Sequence, residues 1–224
     1  MTGWLALHGG GEFQRGSEIG DRRLVVAAGG ADARVIVVPA AAAREHPQMA
    51  AHNGVQWFKQ IGAQADAAMV VDARSANDAA IVATIESATL IYLPGGDPVL
   101  LIETLRGSPA WHAIVKAHER GVSLGGASAG AMALGNKMWN PRTGGLIDGL
   151  GLVPIVTLPH FGAERIDRAR ALRGQLDGAT RLFGIAERTS AIWDGSKWNV
   201  WGPGEVVEVG VDEVRRHQSG EFFQ

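Results

Sequence analysis

The sequence predicts an α/β fold in three layers, with a doubly wound, mostly parallel sheet and a short antiparallel extension at the C-terminal end. Apolar segments of strand length alternate with segments of helical periodicity over residues 4–134. Two of these segments, residues 34–39 and 89–93, are almost entirely apolar, which is typical of parallel strands covered on both faces. Gly-rich turns follow three of the strands, and doubly wound sheets form their sites at those strand ends.

The individual elements follow from apolar periodicity and from turn residues. The predicted strands of the first part are residues 4–7, 34–39, 68–71, 89–93, 122–125 and 155–158, and the predicted helices are residues 17–28, 49–61, 76–86, 99–105, 109–120 and 164–176. Short strands at residues 182–186, 190–193, 199–201 and 206–209, joined by turns rich in Gly, Pro and Asp, predict the antiparallel extension. No linker or repeat interrupts the pattern, so we expect one domain over residues 1–224.

The composition excludes several classes of function. A chain of 224 residues with 46% hydrophobic residues can bury a large core, and a net charge of −2 with scattered basic residues argues against nucleic-acid or membrane binding. The absence of cysteine excludes disulfides, thiolate zinc sites and a cysteine nucleophile. With no signal-peptide pattern and no metal-ligand cluster, we expect a cytoplasmic protein without metal or cofactor. A homodimer is left open.

The central motif is Gly126-Ala127-Ser128-Ala129-Gly130, a Gly-x-Ser-x-Gly sequence between a predicted strand and a predicted helix. This setting is that of a nucleophile elbow, in which a sharp turn exposes the serine hydroxyl. An ordinary Gly/Ala-rich turn is the alternative interpretation. The other Gly-rich strand ends, residues 9–11 and 95–96, favour the elbow because all three turns are expected to border one crevice.

A serine nucleophile needs a base, and His160 is the best placed of the seven histidines because it follows an apolar strand between Pro159 and Phe161. His8, at the end of the first strand, is also expected near the crevice. A histidine at the core edge is the alternative for His160. The acid that orients the base is either Asp148 or Glu187. The order of the chain permits both, and the strand end before Glu187 slightly favours it.

The tetrahedral intermediate of such a reaction needs two hydrogen-bond donors for its oxyanion. The N–H of Ala129, directly after the serine, is one candidate. The second is expected from the Gly95-Gly96 turn, since only glycine lets backbone approach so closely.

Together these motifs resemble the cyanophycinase and dipeptidase E family of serine exopeptidases, whose fold is like that of class I glutamine amidotransferases. The resemblance spans nearly the whole chain and rests on Gly9-Gly10-Gly11-Glu12, Ala28-Gly29-Gly30, Pro94-Gly95-Gly96-Asp97, Gly126-Ala127-Ser128-Ala129-Gly130-Ala131, Gly149-Leu150-Gly151-Leu152, Pro159-His160-Phe161 and Gly184-Ile185-Ala186-Glu187. It implies a Ser128 nucleophile, a His160 base and the oxyanion donors named above.

The resemblance also implies hydrolysis next to aspartate, either in Asp-X dipeptides or in the β-Asp-Arg linkages of cyanophycin. Gly10, Asp97 and Arg165 are the expected substrate-binding residues. An arginine after His160 would meet the aspartyl carboxylate, although that helix is equally readable as a solvated basic face. Pro98 stands where cyanophycinase-like members usually carry glutamine, and no acid precedes Asp148 where dipeptidase E carries its aspartate.

The expected function is therefore a serine exopeptidase that acts on small aspartyl peptides. The alternative is a catalytically silent member that binds a small ligand or partner in the same crevice. Glutamine amidotransfer is disfavoured because in this fold it uses a cysteine nucleophile.

Overall fold

The computed structural model describes residues 2–224, in which fourteen strands and seven α-helices are present. The strands are β1 (Leu5–His8), β2 (Arg34–Val37), β3 (Gln64–Ala67), β4 (Leu90–Leu93), β5 (Ser123–Ala127), β6 (Lys137–Trp139), β7 (Leu146–Asp148), β8 (Ile155–Leu158), β9 (Arg181–Ile185), β10 (Ser190–Trp193), β11 (Trp198–Trp201), β12 (Glu205–Val209), β13 (Val214–Gln218) and β14 (Phe222–Phe223). The helices are α1 (Glu18–Ala27), α2 (Pro47–Gln60), α3 (Ala79–Glu86), α4 (Pro98–Leu105), α5 (Pro109–Glu119), α6 (Ala129–Ala133) and α7 (Ile166–Arg173). Within the described residues no helix combines the length and apolar character needed to cross a bilayer.

The main sheet has eight strands in the order β14-β11-β10-β1-β5-β4-β2-β3. Five adjacent strands of this sheet are parallel to one another, namely β1, β5, β4, β2 and β3. The strands β10, β11 and β14 extend the sheet in antiparallel fashion beyond β1. The predicted doubly wound, mostly parallel α/β fold with antiparallel C-terminal strands is therefore confirmed.

Helices cover both faces of this sheet because its central strands are apolar at most positions on both sides. Ile36 and Ile91 point to one face, where they pack with α3, α4 and α5. Val35 and Leu90, the preceding residues, point to the opposite face and pack with α1 and α2. Side chains alternate between the faces along a strand, so an unbroken apolar segment buries both.

The carboxyl ends of β1, β5 and β4 lie level with one another. His8, the last residue of β1, pairs with Ala127 of β5, and Leu93, the last residue of β4, pairs with the adjacent Gly126. The three Gly-rich turns that follow these strands therefore lie side by side at one edge of the sheet, as the sequence predicted.

A second sheet in the order β13-β12-β9-β8 packs against α7. The predicted strands at residues 182–186 and 206–209 belong here, whereas those at residues 190–193 and 199–201 belong to the main sheet. The β6–β7 hairpin, β13 and β14 were not predicted. Their strands are short or, like the Val-Arg-Arg-His-Gln segment of β13, too polar to stand out from a loop.

The predicted third strand, residues 68–71, is wrong. The strand lies four residues earlier, at Gln64–Ala67, on the edge of the sheet, where its polar side chains face solvent. Ala68 and Val70 are buried in the core although they follow the strand. Burial outside regular structure produced an apolar segment that resembled a strand.

The fold places Gly130 of the elbow against the end of β4, where a Cβ atom would lie 2.1 Å from the Leu93 carbonyl oxygen. We expect Gly130→Ala to lower the free energy of unfolding by about 1–3 kcal/mol or more, because two backbone segments would have to separate. Gly145→Ala is the matched control, since a Cβ there has open space and should cost less than about 0.5 kcal/mol. Urea denaturation measures both, and equal midpoints for the two variants would contradict the close packing.

Candidate active site

Ser128 stands at the apex of the turn between β5 and α6 with a left-handed backbone, φ 48° and ψ −109°. The turn leaves no space beside it, because a Cβ atom at Gly126 would lie 2.7 Å from the Gly130 carbonyl carbon. In residues 2–224 the other non-glycine residues with positive φ are Phe13, His160 and Arg188, all in the loops around the same crevice. Such strained conformations concentrate at functional sites.

His160 follows β8, and its Nε2 atom lies 2.9 Å from Ser128 Oγ. The next residue, Phe161, is buried against the second sheet, where a Cβ atom at Gly184 would lie 2.4 Å from its ring. The histidine side chain is 39% exposed, so it is accessible from the crevice.

Glu187 meets the other nitrogen of this imidazole, with Nδ1 and Oε1 2.9 Å apart. The structure does not bring Asp148 to His160. The Asp148 carboxylate lies on the β6–β7 hairpin, 2.6 Å from Lys137 Nζ, and this hydrogen bond lowers the pKa of Asp148. Of the two acids left open by the sequence, Glu187 alone completes a hydrogen-bonded series with Ser128 and His160.

The end of β1 connects the three segments that carry these side chains. The carbonyl of His8 accepts the N–H of Ser128 at 3.0 Å, and the carbonyl of Gly9 accepts the N–H of His160 at 2.6 Å. The next carbonyl, of Gly10, accepts the N–H of Arg188 at 2.7 Å. Three consecutive acceptors therefore hold the serine, the histidine and the residue after Glu187.

Gly10, one of the residues expected to bind substrate, lies directly against the His160 ring. A Cβ atom at this position would lie 2.2 Å from His160 Cε1, and the backbone has φ 109°. Only glycine combines this conformation with this closeness. Gly10 therefore leaves the space that the His160 imidazole occupies.

The donors expected for the oxyanion are not equivalent. The N–H of Gly95 donates to Glu12 Oε1 at 2.6 Å, so this donor is already engaged. The N–H groups of Gly96 and Ala129 have no acceptor within residues 2–224. The structure thus leaves one free donor on the Gly95-Gly96 turn and one on the turn after Ser128. Glu12, which engages the third donor, is a residue that the sequence analysis did not single out.

Asp97, expected to bind substrate, has two other partners in the structure. Its Oδ1 atom caps α4 by accepting the N–H groups of Val99 and Leu100, and its Oδ2 atom accepts a hydrogen bond from Arg142. Burial opposes ionisation, but the Arg142 and backbone hydrogen bonds outweigh it and leave the pKa of Asp97 lowered. Its carboxylate is committed to the turn and to the loop that follows β6.

One pocket, of about 240 Å³, opens beside Ser128 and His160 and is called here the serine pocket. Trp139, Arg165 and Arg168 line it. The Arg168 guanidinium stacks 5.0 Å from the Trp139 ring centroid, and among the described residues it has no acidic partner. Arg165 Nη1 donates to the Pro159 carbonyl at 3.1 Å, which directs this cation toward the pocket wall.

A second and larger cleft, of about 710 Å³, lies on the other side of the Gly95-Gly96 turn and shares Gly96 with the serine pocket. Glu12 and Glu45 line it, together with His46 and His52, and no lysine or arginine does. We call it the acidic groove. Residues 2–224 hold no group of three or more His, Asp or Glu side chains that fits a metal ion.

His8 does not line the crevice, because it is 3% exposed beneath it. Its Nδ1 atom is hydrogen-bonded to Ser190 Oγ at 2.6 Å, and its Nε2 atom lies 3.6 Å from Asp21 Oδ1. Trp57 Nε1 donates to the other Asp21 oxygen at 2.8 Å. Burial lowers the pKa of His8 to about 3 and raises that of Asp21 to about 7, so both side chains are neutral between these values.

The lowered pKa of His8 and the raised pKa of Asp21 have opposite effects on how the free energy of unfolding depends on pH. Between about pH 4 and 6.5 the unfolded pair carries its proton on His8 and the folded pair carries it on Asp21, so folding changes no proton count. Asp21→Asn removes the compensating acid. Its free energy of unfolding should then rise relative to the parent by about 1.4 kcal/mol per pH unit over this range, because only the depressed His8 pKa remains.

Urea denaturation at several pH values measures this difference. Asp32→Asn, which removes an exposed carboxylate, is the control and should follow the parent protein. Parallel curves for Asp21→Asn and the parent would show that the two buried groups do not exchange a proton on folding.

Comparison with known proteins gives a consistent result. The model of Peptidase family S51 matches residues 5–200. Cyanophycinase from Geminocystis herdmanii is 30% identical over 220 residues, which cover 92% of this chain and 79% of that protein. Cyanophycinase from Trichormus variabilis is 28% identical over 227 residues, which cover 95% of this chain and 75% of that protein.

Two solved structures are similar to this chain. The crystal structure of a peptidase from an acI-B1 Actinobacterium has a TM-score of 0.87 at 28% identity and covers 100% of this chain and 97% of its own. A putative Peptidase E protein from Listeria monocytogenes EGD-e has a TM-score of 0.66 at 15% identity, covering 91% of this chain and 100% of its own. The second likeness concerns the fold alone.

Proposed function

Because the chain belongs to peptidase family S51, we propose that it is a serine peptidase that hydrolyses small aspartyl peptides, Asp-X or β-Asp-X, through an acyl-enzyme. The observation that carries this proposal is the hydrogen-bonded series from Ser128 Oγ through His160 to Glu187, with 2.9 Å at both steps. A serine hydroxyl becomes nucleophilic when a base accepts its proton and an acid orients that base.

In the proposed reaction His160 Nε2 takes the proton of Ser128 Oγ while this oxygen attacks the carbonyl carbon of the scissile bond. The carbonyl oxygen becomes an oxyanion, and the N–H groups of Gly96 and Ala129 stabilise it. His160 then donates the proton to the leaving amine as the C–N bond breaks. Water, deprotonated by the same imidazole, then attacks the ester, and His160 returns the proton to Ser128 Oγ as the ester C–O bond breaks.

The charges on the two sides of the Gly95-Gly96 turn support an aspartyl substrate. In the serine pocket, Arg165 and Arg168 offer guanidinium groups to a carboxylate. In the acidic groove, Glu45 offers a partner to a cationic leaving group. β-Aspartyl-arginine carries both charges, and relatives named cyanophycinase support it as the first substrate to test.

The nucleophile is tested by labelling with a fluorophosphonate, which reacts with activated serines. We expect the parent protein to be labelled and Ser128→Ala and His160→Ala to remain unlabelled. Glu187→Gln should lower kcat by about 10²-fold or more, because an amide no longer fixes the imidazole tautomer. Asp148→Asn is the matched control and should retain the parent rate.

A folded parent protein that is not labelled would refute the serine mechanism and favour the catalytically silent, ligand-binding alternative. A rate loss in Asp148→Asn equal to that in Glu187→Gln would refute the assignment of the acid.

The substrate carboxylate is tested at Arg168. We expect Arg168→Gln to raise KM for β-aspartyl peptides by about 10- to 100-fold with little change in kcat, because a charge-assisted contact is lost in both ground and transition states. Arg170→Gln is the control, because Arg170 is exposed, pairs with Asp167 and does not line the pocket. Faster cleavage of peptides without aspartate than of aspartyl peptides by the parent protein would refute the substrate class and leave the triad standing.

A further inference from the structure

We propose that Glu12 is a positioning residue whose carboxylate holds the Gly95 amide and so leaves the Gly96 N–H as the oxyanion donor of this turn. The inference rests on the proposed serine mechanism and adds a residue to it. Glu12 follows the loop that seats His160, yet its side chain reaches a turn 83 residues further along the chain.

The first observation is the contact itself. The Gly95 N–H donates to Glu12 Oε1 at 2.6 Å, a short hydrogen bond to an acidic side chain. The contact lies next to the nucleophile, because a Cβ atom at Gly95 would be 2.6 Å from Glu12 Oε1 and 3.3 Å from Ser128 Cβ. The carboxylate, the turn and the serine are therefore immediate neighbours.

The second observation is that the other end of the turn is fixed independently. The Asp97 N–H donates to the Ala41 carbonyl at 2.8 Å, and a Cβ atom at Gly96 would lie 2.3 Å from the same oxygen. Gly96 has φ 139°, a conformation that other residues rarely adopt. The turn is thus held by Ala41 on one side and by Glu12 on the other.

Two successive glycines have little conformational preference of their own, so outside contacts decide which way the peptide between them faces. A peptide that rotated would exchange the positions of an N–H and a carbonyl oxygen. Only the N–H stabilises an oxyanion, and the carbonyl would repel it. The Glu12 carboxylate holds the N–H of the preceding Pro94–Gly95 peptide, and the Ala41 carbonyl holds the N–H of the following Gly96–Asp97 peptide. Fixing the peptides on both sides favours the orientation of the Gly95–Gly96 peptide that the reaction needs.

The arrangement also explains why Gly95 itself is not the donor. A backbone N–H already bonded to a carboxylate is unavailable to a second anion, and the carboxylate charge would oppose one there. The two glycines thus have different roles. The Gly95 N–H anchors the turn to Glu12, and the Gly96 N–H is left to bind the oxyanion.

The test compares Glu12→Ala, Glu12→Gln and the control Glu86→Ala, which removes an exposed carboxylate that lines neither pocket and leaves Gly95 untouched. Kinetics use β-aspartyl-arginine and a neutral β-aspartyl dipeptide. For the neutral dipeptide we expect Glu12→Ala to lower kcat by about 10²-fold, the cost of a lost oxyanion donor, with KM within about threefold. Glu12→Gln should stay within about fivefold of the parent, because its amide oxygen still accepts the Gly95 N–H.

An unchanged kcat in Glu12→Ala would overturn the proposal. An equal loss of kcat in Glu12→Gln and Glu12→Ala would also overturn it, because the hydrogen bond to Gly95 would then not be what matters. A change confined to the KM of the arginine substrate would assign the Glu12 charge to substrate binding instead. Glu86→Ala should keep kcat for the neutral dipeptide.

A second measurement does not depend on activity. The NMR resonance of the Gly95 amide proton should lie downfield in the parent protein and in Glu12→Gln, and should move upfield and exchange faster in Glu12→Ala. An unshifted Gly95 resonance in Glu12→Ala would refute the contact. A parent protein with this resonance but without fluorophosphonate labelling would refute the proposed function and leave the contact intact.

Discussion

Three consecutive carbonyl groups at the end of β1 accept one backbone N–H from each segment that carries a member of the Ser-His-Glu series. Their spacing along one short loop fixes the distances between segments that are far apart in sequence. The loop achieves this only because Gly10 leaves space for an imidazole where any side chain would collide with it. A glycine-rich strand end that resembles a ligand-binding loop thus serves as the frame on which the site is assembled.

Charge is arranged around this frame in two different ways. The clefts that open to solvent are charged, with arginines in the serine pocket and glutamates in the acidic groove. Burial instead keeps the polar groups beneath the crevice, His8 and Asp21, neutral between about pH 3 and pH 7. Charges that can meet a substrate are kept at the surface, while the support under the site avoids the large cost of burying an ion.

The order of the elements, the parallel sheet and the Peptidase S51 relationship were predictable, because they depend on apolar periodicity and on motifs contiguous in the chain. Ser128 and His160 were predicted as partners from their motifs, but they follow strands of different sheets, and the loop after β1 brings them together. The choice between Asp148 and Glu187 was not predictable, because it depends on which loop β10 delivers beside β1. Nor was the role of Glu12, whose partner lies 83 residues away and whose contact is made by a backbone amide that carries no sequence signature.

The central position of β1 has a consequence for biosynthesis. This strand precedes both of its neighbours in the chain, which are β5 and β10, and β10 begins only at Ser190. A ribosome-bound chain that has not yet released residues 187–190 therefore lacks both the carboxylate that meets His160 and the strand that closes the second side of β1. On this geometry the Ser-His-Glu series forms only after the segment that carries Glu187 and β10 has been synthesised.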